Sequence, residues 1–347
     1  MKIPITNIYY LLCYAWRHME ESDVVSVSDL GQMGRVHDLL GHVLAEGTFQ
    51  LVRRGLDRGY IEVREDLAGI RGKLEIGEIA KRALRARGRA ACLFEELSYD
   101  VPHNQILRST LRVLLRLPDL DRRVRREVRS AFQKLEGISI VRVDRQLFRR
   151  VQLDRNRSRY RFLLAICELV HDSFLVDERT GDVRFRDLRD DYERMAALFE
   201  DFVQEFYRRE TDYRVNEGGR RIHWMDADGI TDRDRSLIPW MQADVLLERE
   251  GRRIILDAKF YGKALAERWG GERLHSGNLY QLLAYLRNRQ ATMPDGPKHE
   301  GMLLYPVVDR PIDADIRLEG FRIRARGIDL SQDWRRIRED MLAFVEA

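Results

Sequence analysis

The chain has 347 residues, 44% of them hydrophobic, and 61 Lys and Arg against 57 Asp and Glu leave a formal net charge of only +4; such a length predicts two domains, or one core with a large extension, with ample apolar content for packed cores. Cys13, Cys92 and Cys167 stand far apart with no C-x-x-C or metal-ligand spacing, which excludes a cysteine metal site and predicts reduced, buried thiols in a cytoplasmic protein. Ile8 to Trp16 is apolar but far shorter than the roughly 20 residues that span a bilayer, and no basic segment with a cleavage site accompanies it, so neither a membrane anchor nor a signal peptide is expected.

Ile5 to His18 and Val36 to Leu56 are predicted helices, the second with Val36, Leu39, Leu40, Val43 and Leu44 at helical spacing. The aromatic run Tyr9, Tyr10, Tyr14 and Trp16 reads as core. Tyr60 to Val63 and Gly69 to Ile76 read as two strands separated by the charged Arg64-Glu65-Asp66, and Ala91 to Tyr99 as a third. Asn104 to Leu117 and Arg123 to Leu135 return to helix, with Pro118 at the break. Residues 1–155 are therefore expected to form an α+β domain. Its basic runs, Lys81 to Arg89, Arg122 to Arg126 and the Arg145 to Arg161 stretch, offer either phosphate contacts or plain solvated surface. Gly69-Ile-Arg-Gly-Lys-Leu74 lacks the spacing and the hydroxyl residue of a phosphate-cradling G-x-x-x-x-G-K-[ST] loop, so no nucleotide site is predicted.

A helix from Ser158 to His171 leads through the charged Asp177 to Asp191 stretch into a second domain, residues 156–347. Between Met195 and Phe206, the residues Met195, Leu198, Phe199, Phe202 and Phe206 make one helical stripe. On that wheel Glu205 flanks the stripe and Glu200 points away, so Glu205 either turns inward toward a site or is a solvated or arginine-paired helix residue. Two apolar runs follow, joined by Glu250-Gly251. A two-residue hairpin there sets residues summing to 501 opposite each other, which puts Asp244 across from Asp257 and, by strand alternation, Lys259 on the same face.

Carboxylates on strands this apolar are costly without compensation. A divalent ion compensates both: Asp244, Asp257 and the Ala258 carbonyl, with water, suit Mg²⁺. Lys259 would then help activate a metal-bound water and balance charge on a phosphate, which is the chemistry of phosphodiester hydrolysis. Ser276 to Leu286 is a further helix with Ser276 as a candidate N-cap. Gln281 and Tyr285 share one of its faces and can brace the site or touch a DNA backbone, while His275, just before it, is either a cap or an acid–base residue. Met293-Pro-Asp-Gly-Pro297 marks a loop, Gly301 to Val308 and Phe321 to Ala325 are predicted strands, and Ser331 opens a closing helix. An α/β sheet flanked by helices is expected.

From Asp244 to Tyr285 the pattern resembles the PD-(D/E)xK nuclease superfamily, with its helix glutamate, Asp strand, D-x-K strand and Gln-x-x-x-Tyr helix of the RecB-like kind. Pro4-Ile-Thr-Asn-Ile-Tyr-Tyr-Leu-Leu-Cys-Tyr-Ala-Trp16 and His275-Ser-Gly-Asn-Leu-Tyr-Gln281 narrow the resemblance to the McrC family, the nuclease subunits of McrBC modification-dependent restriction systems. The third-position acid is Asp257 rather than Glu, and Pro239 lies several residues before Asp244. The resemblance implies a restriction-endonuclease-like core with Asp244, Asp257 and Lys259 catalytic, Mg²⁺ as cofactor, and Glu205 as a further metal ligand. It implies an N-terminal domain that docks on a hexameric AAA+ GTPase of the McrB kind and stimulates it, the GTP being used by that partner and none bound here. It also implies DNA carrying modified cytosine as substrate and pairing of two such subunits to bridge two rings. The alternatives from sequence are a free-standing RecB-like repair nuclease and a non-catalytic regulator of an AAA+ ring.

Overall fold

The computed structural model describes residues 3–17, 30, 33–151, 153, 157–176, 183–217, 219–225, 231–260, 265–268, 271–307 and 312–346. The chain opens with helix α1 (Ile5–Ala15). Next come α2 (Val36–Arg54), β1 (Gly59–Leu67), β2 (Lys73–Leu74), α3 (Ile76–Lys81), β3 (Ala90–Ser98), α4 (Pro102–Leu115), α5 (Arg122–Lys134), α6 (Arg145–Arg150), α7 (Ser158–Ser173), β4 (Phe174–Val176) and β5 (Val183–Phe185). After them come α8 (Tyr192–Glu210), β6 (Arg214–Val215), β7 (Arg221–Ile222), α9 (Asp232–Leu237), β8 (Met241–Gln242), β9 (Val245–Arg249) and β10 (Arg252–Ala258). The hairpin β11 (Leu265–Arg268) and β12 (Gly271–Leu274), α10 (Ser276–Thr292), β13 (His299–Pro306), β14 (Asp313–Leu318), β15 (Phe321–Ile328) and α11 (Trp334–Glu346) complete it. Two compact units result: one runs from Met33 to Asp187, and the other joins α1 to the chain from Leu188 onward.

This division corrects the expected boundary between residues 155 and 156. The aromatic run of α1 is core, as read, but core of the unit containing the later sheet. Tyr10 stacks on Trp334 at 4.6 Å, Tyr14 meets Phe202 edge-on at 5.7 Å, and its hydroxyl donates to Glu210 at 2.8 Å. Asn7, itself buried, donates from Nδ2 to the carbonyls of Leu330 and Gln332, both at 2.8 Å. An eleven-residue helix is marginal alone in water; these contacts, which sequence distance conceals, decide where it lies.

In the 33–187 unit the apolar faces of α2, α4, α5 and α7 bury Leu39, Val43, Leu107, Leu111, Val128, Phe162 and Cys167, beside a three-stranded antiparallel sheet in the order β1-β3-β2. All three cysteines are free and buried, as expected, and burial pushes the Cys167 thiol up to about 12. Here β1 runs straight through Arg64, Glu65 and Asp66, paired with Leu93, Cys92 and Ala91. As an edge strand it leaves those charges to solvent and to Arg82, which reaches Asp66, so charge does not end it. Only Lys73 and Leu74 of the expected 69–76 strand pair, and Ile76 begins a helix instead.

The other unit is built on a mixed sheet in the order β14-β15-β13-β10-β9-β6, with β10, β13 and β15 parallel and the rest antiparallel. The fold expected from sequence, a mixed α/β sheet with flanking helices, is the fold observed. On one face α10 lies close because β13 carries Gly301, where a Cβ would come within 2.9 Å of Leu282; Leu282, Tyr285 and Leu286 pack there with Leu246, Ile255, Leu303 and Ile323. At the start of these strands Glu300 binds Arg252 through two hydrogen bonds of 2.9 and 3.0 Å and lies 3.1 Å from the fully buried Arg324. The same arginines cap the last turns of α11: Arg324 donates to the Phe344 carbonyl and Arg252 to that of Val345, each at 2.6 Å. His18 and Val308, the expected ends of a helix and a strand, Arg155 of a basic run, and the beginning of the 177–191 stretch lie outside the described residues.

Candidate functional site

The hairpin forms with the expected register. Arg252 pairs with Arg249, Ile255 with Leu246 and Leu256 with Val245, every pair summing to 501, around a turn in which Gly251 adopts φ 75°. The ladder stops one pair short of Asp244 and Asp257. There the chain bends, and Asp244 instead accepts the Ala258 N–H on Oδ2 at 2.8 Å. Lys259 continues the pairing with β13 by donating its N–H to the Leu304 carbonyl at 2.8 Å, and its Nζ lies 2.8 Å from Asp257 Oδ2. Two carboxylates and an ammonium thus meet at the C-terminal end of β10.

Asp257 is only 1% exposed, and neither of its carboxylate oxygens has a hydrogen-bond partner of good geometry among the described residues. Burial, then the charge of Asp244, pushes its pKa up to about 7 against the opposing pull of Lys259. Burial also raises Asp244, with Lys259 and the Ala258 N–H working the other way. A buried acid pair with one ammonium is under-compensated, which is the electrostatic condition a bound cation relieves. Among the described residues no three His, Cys, Asp or Glu side chains cluster as a closed ligand set. The donors the pair offers are carboxylate oxygens, fitting an ion that takes oxygen ligands and keeps several waters, as Mg²⁺ does.

Helix α8 reaches this strand end through Phe260, whose ring lies 5.9 Å from that of Tyr192 and 6.0 Å from that of Phe199, and whose carbonyl accepts the Tyr192 hydroxyl. The next residue after Phe199 is Glu200, half-buried, with its pKa raised by burial and then by the charge of Asp244, while Lys259 lowers it. Glu200, not Glu205, is the helix carboxylate that feels the site. Glu205 is buried as expected, but it holds the side chain of Arg17 at 2.9 and 2.8 Å and also binds Arg208. Of its two sequence readings, the arginine pair is the one observed. The missed signal was the width of the buried face: Val203 and Tyr207, three and seven residues after Glu200, are fully buried as well, so that side of the wheel also faces protein.

From the opposite face, α10 brings Gln281 and Tyr285 together, with Nε2 donating to the Tyr285 hydroxyl at 2.6 Å. Burial raises the tyrosine pKa, and the charges of Asp257, Lys259 and Asp244 all act on it, which places this pair beside the carboxylates. His275, rather than Ser276, occupies the N-cap position; its carbonyl accepts the N–H groups of Asn278 and Leu279 at 3.1 and 3.2 Å. Arg220, unremarked in the sequence, accepts the Ala243 N–H on its carbonyl at 3.1 Å, and its charge bears on Glu200, Asp201 and Asp244.

A mixed α/β sheet with an acid pair and a lysine at one strand end, braced by a helix on each side, defines a class of site able to hold a hard cation against a phosphate ester. The model of the McrBC 5-methylcytosine restriction system component family matches residues 7–306, and the chain belongs to that family. It is 32% identical over 340 residues, 98% of this chain and 96% of the relative, to the type IV methyl-directed restriction enzyme EcoKMcrBC of Escherichia coli strain K12. It also shares its fold, at TM-score 0.59 and 18% identity over 97% of this chain and 75% of the other, with a chain in the refined half-complex from the tetradecameric assembly of Thermococcus gammatolerans McrB AAA+ hexamers with bound McrC. The resemblance read from the two motif blocks is upheld.

Proposed function

We propose that the chain is the Mg²⁺-dependent DNA endonuclease subunit of a 5-methylcytosine-specific restriction complex of the McrBC type, its six-stranded sheet and flanking helices forming a PD-(D/E)xK nuclease core. The observation that carries this reading is the meeting of Asp244, Asp257 and Lys259 at the end of β10. Asp244, Asp257 and the Ala258 carbonyl would hold the ion, with Glu200 on the α8 side. Bound there, Mg²⁺ supplies Lewis-acid polarisation of the phosphate and a more acidic water. Lys259 sets an ammonium where negative charge grows on the phosphate, and Gln281 with Tyr285 keeps the acid pair's flank fixed and dry. Glu200, its proton held more tightly than usual, is suited to exchange a proton with the attacking water.

The partner is a hexameric AAA+ GTPase of the McrB kind, as in the Thermococcus assembly, where McrB hexamers carry bound McrC. The 33–187 unit would dock on it and raise its GTP turnover; Tyr60, Ile70 and Ile76 of that unit are 73–75% exposed, apolar surface of the kind a partner covers. Cleavage of modified DNA in the cytoplasm, with two such subunits pairing between two rings, completes the reading. Among the described residues no helix is long and apolar enough to cross a membrane. The test is cleavage of methylated plasmid by the reconstituted complex with GTP and Mg²⁺. Asp244→Ala and Asp257→Ala should each stop cleavage while leaving GTP turnover stimulated; cutting by either variant overturns the assignment.

A further inference from the structure

The 33–187 unit contains a cavity of about 400 Å³ whose charge has nothing to do with the acid pair. Arg112 and Arg116, one helical turn apart at the end of α4, line one side, and Arg142, in the extended segment after α5, lines another. That segment is pinned in place: Ser109 Oγ accepts the Val141 N–H at 3.0 Å, and Asp100 takes the Ser139 N–H and hydroxyl at 2.7 and 2.6 Å. Its floor includes His171, which contacts Thr110 Oγ1 at 3.0 Å and which burial pushes down to about 4, so the imidazole is neutral at physiological pH. The positive charge is therefore all guanidinium. Among the described residues no acidic side chain lines the cavity, and none of the three arginine side chains has an ion pair or hydrogen bond.

We propose that Arg112, Arg116 and Arg142 form a phosphate-binding groove on the 33–187 unit that grips the DNA backbone. The proposal rests on the functional reading above in taking DNA as the polymer. Arginine forks suit phosphate oxygens, and residues one turn apart on a helix face, with Cβ atoms about 5–6 Å apart, can engage phosphates along one strand. The basic surface also continues beyond the groove. The ring of Phe148 on α6 meets His171 edge-on at 6.4 Å, which brings α6 to the rim, and Arg149 and Arg150 at its end are exposed and likewise unpaired among the described residues. An extended polyanion matches such a tract better than one short acidic peptide.

The test is binding of a fluorescein-labelled 20-base-pair duplex to the full chain in EDTA, measured from low to moderate salt. Replacing Arg112, Arg116 and Arg142 together by Glu should weaken binding at least tenfold and flatten the slope of log K against log salt by about 2–3, each lost phosphate contact removing about 0.9. Replacing all three by Lys should keep most of that slope, which also guards against a folding artefact. The groove proposal fails alone if the Glu variant, folded by its unfolding temperature, binds the duplex as the parent does, or if it keeps DNA binding but no longer joins the AAA+ partner, since the groove would then take an acidic protein surface. A parent chain that binds no duplex overturns the groove proposal while the cleavage reading, tested on the complex, stands; an Asp257→Ala complex that still cuts overturns the cleavage-site assignment while the groove result stands.

Discussion

The two ends of strand β10 carry charge in opposite ways. At its start, burial works to raise the Glu300 pKa, but the hydrogen bonds and charge of Arg252, with Arg324 and Arg322, overcome it and hold the carboxyl below its usual range. At its far end, Asp257 faces Asp244 with Lys259 as its close cation, and its pKa climbs to about 7. Both carboxylates sit on one central part of one sheet. The first has its countercharges built into the protein and uses them to hold the C-terminal turns of α11. The second is left short of positive charge, the condition that sets the proposed cation site apart from a structural clamp.

The contrast breaks most visibly under alanine. Asp257→Ala should reduce cleavage by at least roughly 10⁴-fold, more than about 5 kcal/mol of transition-state stabilisation, with the unfolding midpoint unchanged or higher. Glu300→Ala should do the reverse. It strands the buried Arg324 and the partly buried Arg252, so denaturant unfolding should show a loss of about 3–5 kcal/mol, while the acid pair still binds Mn²⁺ in calorimetry. A Glu300→Ala protein as stable as its parent would mean the clamp contributes nothing.

A smaller effect concerns pH without metal. The Asp257 pKa is near 7 in the folded chain against an ordinary 3.8, so between those values the folded state holds a proton that the unfolded state has released. Stability in EDTA should therefore fall as pH rises from about 4 to about 7, and Asp257→Asn should remove that loss, gaining on the order of 2–4 kcal/mol at pH 8. The depressed Glu300 carboxyl gives the opposite slope: its contribution is present above the unfolded pKa and is lost as pH falls through the folded one. Parallel unfolding curves for parent and Asp257→Asn across this range would contradict the under-compensated pair.

The smallest effect separates the two glutamates of α8. Glu200→Gln should slow cleavage roughly tenfold or more, within the range for a group that exchanges protons in the transition state. Glu205→Gln should leave the rate within about threefold and cost about 1 kcal/mol of stability, through weaker pairing with the exposed Arg17. Equal rate losses in the two variants would erase the distinction drawn from their surroundings.

The sequence by itself determined the parts governed by short-range periodicity. Glu250-Gly251 set the hairpin and its sum-of-501 register, because a two-residue turn leaves one pairing and strand alternation then fixes which side chains share a face. The four-residue spacing of Gln281 and Tyr285 likewise became a real hydrogen bond. By the same logic β14 was legible: Glu319 and Gly320, at φ 51° and 76°, make the two-residue turn into β15, but alternating charges in Asp313 to Arg317 masked the strand. Tertiary structure alone decided that α1 completes the sheet-bearing unit, that Glu205 serves Arg17 and Arg208, and that Glu200 feels the charges of Asp244 and Lys259. In each case the deciding partner lies far away in sequence, and neither periodicity nor composition carries the position of a group that only packing brings near.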